Sequence, residues 1–204
     1  MNTARYLLSF TTGGLFLHEA PLVAEYYLAL QSWPQTRTKV LNENLLQART
    51  RSTAKRINSE LFARLTLLND EELSFLINST WRERGYLLWV AVCRRYTFIY
   101  EFAVEVLREH YLNRRYRITR IDYDVFYHAK SLWHPELDEI TQTTQKRLRC
   151  SLFRLLHEAD LLSKDGEIKP ILLSPQLAQL IYKNAPSYLL AFPSSDNEIK
   201  RWIL

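Results

Sequence analysis

Four glycines in 204 residues leave this chain few places to turn through left-handed backbone, and that scarcity narrows its folds more than any other feature. Repeated hairpins, β-sandwiches and Gly-rich phosphate loops all need more. Apolar residues instead recur at three and four along most of the chain, as one helical face requires. A composition 47% apolar and 24% charged belongs to a folded chain, not a disordered one. The fold class is therefore mostly α: a compact multi-helical protein with one small β-hairpin and a winged-helix-like C-terminal half.

A helix is predicted over residues 18–32, with Leu22, Val23, Tyr26, Tyr27 and Leu30 on one face and Pro21 in its first turn. Before it, Gly13-Gly14 demands a tight turn. A short helix follows Pro34, over about residues 35–44. Ser52 reads as the N-cap of a helix whose stripe is Ala54, Ile57, Leu61, Leu65 and Leu68. Residues 69–72 start a short helix that reaches Asn78. Thr80 and Glu83 form a capping box that opens a hydrophobic helix running to about Tyr111, or a pair broken near Tyr96-Thr97. Residues 114–120 read as an exposed basic connector. It would separate an N-terminal helical subdomain, 1–113, from a C-terminal one, 114–204, unless the two form one continuous domain. Helices are then expected over 123–131, after Pro135, and over 141–159. Asp165-Gly166 between apolar residues is a hairpin signal. Ser174-Pro175 restarts a helix ending near Asn184, and Ile199, Trp202 and Ile203 suit a closing amphipathic turn.

The most apolar run, residues 86–93, ends in Arg94-Arg95 and falls far short of the roughly 20 residues a bilayer span needs. It reads as a buried core helix. The first ten residues lack a secretory apolar stretch, and no small-residue cleavage site follows. Cys93 and Cys150 form no spaced framework, which excludes a disulfide scaffold and a Cys-based zinc site. A cytoplasmic chain with free thiols is expected.

The parts of an enzyme are missing. Gly13-Gly14 is followed by Leu15 rather than Lys and Ser/Thr. Neither His18-Glu19 nor His157-Glu158 gains a second His one turn later, and no Gly-x-Ser-x-Gly elbow occurs. His128 and His134 with Asp122 and Asp124 are the one cluster of ligand-like composition, and helix capping accounts for those aspartates as simply. No catalytic residue, metal or cofactor is expected.

Positive charge is concentrated. The net charge is +5, and residues 37–64 hold seven bases (Arg37, Lys39, Arg49, Arg51, Lys55, Arg56, Arg64) against Glu43 and Glu60, a local excess of the same size. Lys and Arg bind phosphates by releasing counterions, so Arg49, Arg51, Lys55 and Arg56 are candidate DNA contacts. Arg114, Arg115 and Arg117 form a second set. On the 141–159 helix, Leu148, Leu152, Leu155, Leu156 and Ala159 make the core stripe. Lys146, Arg147, Arg154 and His157 lie opposite, with Arg149 on a flank. Thr144, with Thr143 and Gln145, stands at the helix start, where hydroxyls and amides bond phosphates or base edges. Two shorter helices, this helix and then a hairpin is the order of a winged helix. Each basic face is equally what a surface helix shows to water.

Several stretches resemble the BrxA family of BREX bacteriophage-exclusion systems. They are residues 9–15 with Glu19, residues 44–47, residues 49–57 with Glu60 and Arg64-Leu65, and Phe102 with residues 105–108. Asp122-Tyr123 with Phe126, residues 133–137 and residues 168–170 resemble it too. The resemblance spans nearly the whole chain and rests on diffuse motifs. It implies a small all-helical protein likened to the RNA-binding antitermination factor NusB, with double-stranded DNA binding and a role in phage defence. The family's label as an inner-membrane protein conflicts with this sequence. The expected function is thus a non-enzymatic component of a BREX anti-phage system that binds duplex DNA largely through phosphates. The alternative is an assembly adaptor for other BREX proteins, anchored by Trp33, Trp81, Trp133 and Trp202, with nucleic acid incidental. RNA carries less weight, because no aromatic RNP-type strand motif occurs.

Overall fold

A computed structural model of the chain describes residues 5–203. The export-signal reading of residues 1–4 lies outside them. Among the described residues eleven α-helices form: α1 (Glu19–Leu30), α2 (Trp33–Asn42), α3 (Arg51–Leu65), α4 (Asp70–Asn78), α5 (Trp81–Arg95) and α6 (Thr97–Phe102). After a π-helical stretch, Ala103–Arg108, come α7 (Glu109–Leu112), α8 (Arg120–Ser131), α9 (Gln142–Glu158), α10 (Pro175–Asn184) and α11 (Asp196–Ile203). Short 3₁₀ segments, Pro135–Leu137 and Pro186–Ala191, complete the helical text.

Caps set most of these boundaries. Asn69 with Glu72, Thr80 with Glu83, and Thr119 with Asp122 each form a reciprocal capping box. Ser174 and Thr141 cap α10 and α9 through their hydroxyls. For α3 the cap is Thr50, not Ser52. Thr50 has the extended backbone a cap needs, and its hydroxyl accepts the Thr53 N–H at 3.2 Å, which leaves Ser52 inside the first turn. Leu68 lies past the helix end yet remains buried. The long central helix breaks at Tyr96, one of the two arrangements the sequence allowed.

Helix α5 is the axis of the core. Every residue from Gly85 to Cys93 is buried, and the Trp89 indole N–H donates to the Ala191 carbonyl at 3.1 Å. Burial pushes the Cys93 thiol up, whereas Cys150 is exposed. No helix among the described residues is long and apolar enough to cross a membrane.

The expected hairpin shrinks to isolated bridges, Leu162 with Ile168 and Arg117 with Glu167. Pro170, which has no N–H to donate, closes the second arm after three residues. The turn itself is where the sequence put it. Gly166 has φ +82°, and a β-carbon there would sit 2.5 Å from the Ile118 carbonyl oxygen. Ile118 N–H donates to Gly166 and Ile168 N–H to Tyr116, so segment 116–118 lies along the outer arm.

The non-helical segment 5–18 ties parts from both sides of residue 113 together. The Arg5 guanidinium meets Glu139 at 2.5 Å and the Tyr6 N–H donates to Glu136 at 2.5 Å. The Leu15 N–H donates to Glu158 at 2.5 Å, and Gly14 offers its carbonyl to Arg64.

Candidate nucleic-acid interface

Helix α9 separates its faces as the periodicity requires. Leu148, Ser151, Leu152, Leu155 and Leu156 are buried, while Lys146, Arg147, Cys150, Arg154 and His157 are exposed. Lys146 and Arg147 enter no ion pair among the described residues. Arg149 turns toward α8, where both oxygens of Asp124 lie 2.7 Å from its Nη1. Arg154 donates to the Gly13 carbonyl. Thr144 is part of the cap: its N–H donates to the Thr141 hydroxyl at 3.2 Å, and the two hydroxyls lie 3.0 Å apart.

The exposed face of α9 forms one wall of a groove of about 560 Å³. Arg117 and Arg120 contribute from the start of α8 and the segment before it, Arg149 and Arg154 from α9, and Lys164 from the Asp165-Gly166 turn. Glu158 and Asp165 are its carboxylates, and Glu158 is engaged by the Leu15 N–H. Cations from residues 114–120 and from α9, far apart in sequence, thus share one surface. Arg114 and Arg115 stand just outside it, exposed, with Arg114 in left-handed backbone at φ 57°. Arg120 closes the basic connector read at 114–120, although it was not among the candidate DNA contacts, and Lys164 was not singled out from the sequence. Arg120 follows the Thr119 cap directly and Lys164 precedes the turn, so each had a local signal.

The other basic segment divides. Arg49, Arg51, Lys55 and Arg56 are exposed and form no ion pair among the described residues, but they do not line the groove. Arg64 belongs to the interior instead. It is 1% exposed, its Nε donates to Glu60 at 2.7 Å, and its Nη1 donates to the Gly14 carbonyl at 2.6 Å. The charge excess read over residues 37–64 is unchanged by this pair, because the buried Arg64 and its partner Glu60 leave the surface count together. The Tyr96 hydroxyl donates to the same Glu60 at 2.5 Å.

The ligand-like cluster does not assemble. Asp122 is spent in the α8 capping box, Asp124 on Arg149, and His134 lies buried 3.2 Å from Glu136 with its ring stacked on Tyr6. Of the four candidate anchor tryptophans, Trp202 is buried and Trp33 stacks on Tyr27 at 3.9 Å, whereas Trp81 and Trp133 are exposed.

The BrxA family model matches residues 4–185, nearly the whole of this chain. The chain belongs to the BrxA family. Two curated relatives carry the name BREX protein BrxA. The one from Escherichia coli O9:H4 (strain HS) is 24% identical over 147 residues, 72% of this chain and 69% of the relative. The one from Bacillus cereus (strain H3081.97) is 23% identical over 125 residues, covering 61% and 62%. The crystal structure of an uncharacterized protein from Magnetospirillum magneticum shares the fold: TM-score 0.81 at 22% identity, over 94% of this chain and 99% of that one. This BrxA-family chain therefore falls within the BREX phage-defence system.

Proposed function

We propose that this protein is a non-enzymatic, cytoplasmic DNA-binding component of its BREX system, and that it seats duplex DNA largely through phosphate contacts. The observation that carries the reading is the groove where Arg117, Arg120, Arg154 and Lys164 meet beside the free Lys146 and Arg147. Phosphates are bound by such convergence of unneutralised cations, with little selectivity for sequence. The order of elements supports it too. Segment 116–118, α8, α9 and two paired arms, with 116–118 bridged to the outer arm, is the sequence of parts in a winged helix. In that arrangement α9, after the two shorter helices, enters the major groove and the turn between the arms touches the backbone. Arg49, Arg51, Lys55 and Arg56 then act as outer contacts for a longer duplex, with Arg114 and Arg115 at the groove's edge.

A titration with duplex DNA at several salt concentrations tests this. The log–log plot of affinity against salt should fall with a slope of about −0.9 per phosphate neutralised. Replacing Lys146, Arg147 and Arg154 together should flatten it. A slope near zero removes the mechanism.

The second reading, an adaptor for other BREX proteins, is favoured by Trp81 and Trp133, which remain exposed. Partners that co-purify from cells and survive nuclease treatment would support it.

A further inference from the structure

Arg154 and Glu158 stand four residues apart on α9, the spacing at which a helix brings a cation and a carboxylate within reach of each other. Both line the groove. They form no ion pair among the described residues. The turn ahead of α1 takes each of them instead: Arg154 donates to the Gly13 carbonyl, and Glu158 accepts the Leu15 N–H at 2.5 Å. Three consecutive residues, Gly13 to Leu15, thus hold the two charges apart. The turn is itself fixed from α3, where the buried Arg64, paired with Glu60, donates to the Gly14 carbonyl at 2.6 Å. Gly14 leaves open the space that the carboxylate fills, and a β-carbon there would meet both of its oxygens.

We propose that this turn is a positioning element for the DNA groove: by keeping Glu158 off Arg154, it leaves the Arg154 charge for a phosphate. The inference rests on the DNA reading and deepens it, since it says how the groove stays cationic with a carboxylate one helical turn from its arginine. A guanidinium carries five N–H donors in a fixed fork, so the one given to Gly13 orients the side chain while others remain for a phosphate oxygen. The Gly13 carbonyl is a neutral acceptor and leaves the positive charge in place. A carboxylate in the same position would neutralise it, and an arginine already neutralised releases no counterion when phosphate arrives. The Leu15 N–H does the complementary task. It is a neutral donor that satisfies Glu158 without drawing on any cation of the groove. Gly14 and the Leu15 N–H therefore act on DNA through Arg154 and touch no phosphate themselves.

Salt titrations with duplex DNA on the wild type and four variants test this. Gly14→Ala expels the carboxylate from the turn and should make the log–log plot less steep by about 1, the loss of one phosphate contact. Adding Glu158→Gln to it should restore the steepness, because the displaced group then has no charge to set against Arg154. Glu158→Gln without Gly14→Ala should steepen the plot less than it does beside it. Circular dichroism reports whether each variant is folded. Should Gly14→Ala not fold, Glu158→Asp stands in for it: one methylene shorter, the carboxylate gives up Leu15 while the turn keeps its sequence, and the plot should again become less steep. A folded Gly14→Ala protein with the wild-type slope overturns the proposal, as does a Glu158→Asp protein with that slope. A Glu158→Gln effect of the same size in both backgrounds overturns it too. A wild-type slope near zero is a different failure, which removes the DNA reading itself and this inference with it.

Discussion

The Glu158 carboxylate stands where a β-carbon on Gly14 would have to go, and from there it accepts the Leu15 N–H at 2.5 Å. The Gly14 carbonyl meanwhile receives Arg64 from α3 at 2.6 Å. The tight turn is therefore gripped by α9 on one side and α3 on the other, and glycine is required by this close approach rather than by φ.

Gly14→Ala should displace the carboxylate and break its hydrogen bond, at about 1–2 kcal/mol, read as a lowered urea midpoint. In Glu158→Gln the same Ala should cost less, because the charged acceptor is already gone. Equal costs in both backgrounds would show that the two residues are uncoupled.

Two arginines eight positions apart on α3 should behave oppositely. Arg64→Ala leaves Glu60 buried without its partner and strips the Gly14 and Thr12 carbonyls of a donor. The expected loss is about 3–5 kcal/mol. Arg56→Ala, on the exposed face, should stay within about 0.5 kcal/mol. Urea unfolding of both variants measures the contrast.

On DNA the contrast should reverse with duplex length. Lys146→Ala should lower the salt slope by about 1 on a duplex of roughly one helical turn and on a longer one alike. Arg56→Ala should lower it only on the longer duplex, since Arg56 belongs to α3 and not to the α9 face that walls the groove. An equal effect on both lengths would place the segment around Arg56 in the primary seat.

Acid should unfold the protein through hydrogen-bonded carboxylates. Burial alone would raise Glu136 and Glu198, yet both lie below the usual carboxylate range. The Tyr6 N–H and His134 hold Glu136 down, and the Ser195 N–H and hydroxyl, with the Tyr111 hydroxyl, hold Glu198. A group depressed in the folded state stabilises it above the unfolded value, near 4.3 for Glu, and that stability is lost as pH falls through the folded value. The urea midpoint should therefore hold steady down to about pH 5 and drop below it. Glu198→Gln should show a shallower drop.

Local signals were legible in the sequence, and signals that depend on neighbours were not. The capping boxes at Asn69 and Thr80 place two helix starts because cap and N3 residue satisfy each other within one turn. Choosing Thr50 over Ser52 needed the backbone angles, since both residues carry a suitable hydroxyl. The π-helical stretch Ala103–Arg108 has no periodic signature, and there the buried Arg108 reaches Asp196 at 2.6 Å. The order of α8, α9 and the Asp165-Gly166 turn was readable, but its arms proved too short for strands.

The chain's own order of residues determined the helical class, the stripe that α9 buries and the outward side on which Lys146 and Arg147 stand. Those follow from spacing along a helix, where each residue's face is fixed by its neighbours three and four away. Tertiary structure alone decided which cations remain available. Arg64 and Arg56 look alike in the sequence, but one meets a buried carboxylate and the other meets water. Arg117 and Lys164 become neighbours of α9 only because the fold brings segment 116–118 back along the arm. Charge acts through space, so its partners are set by the packed shape and not by the distance along the chain.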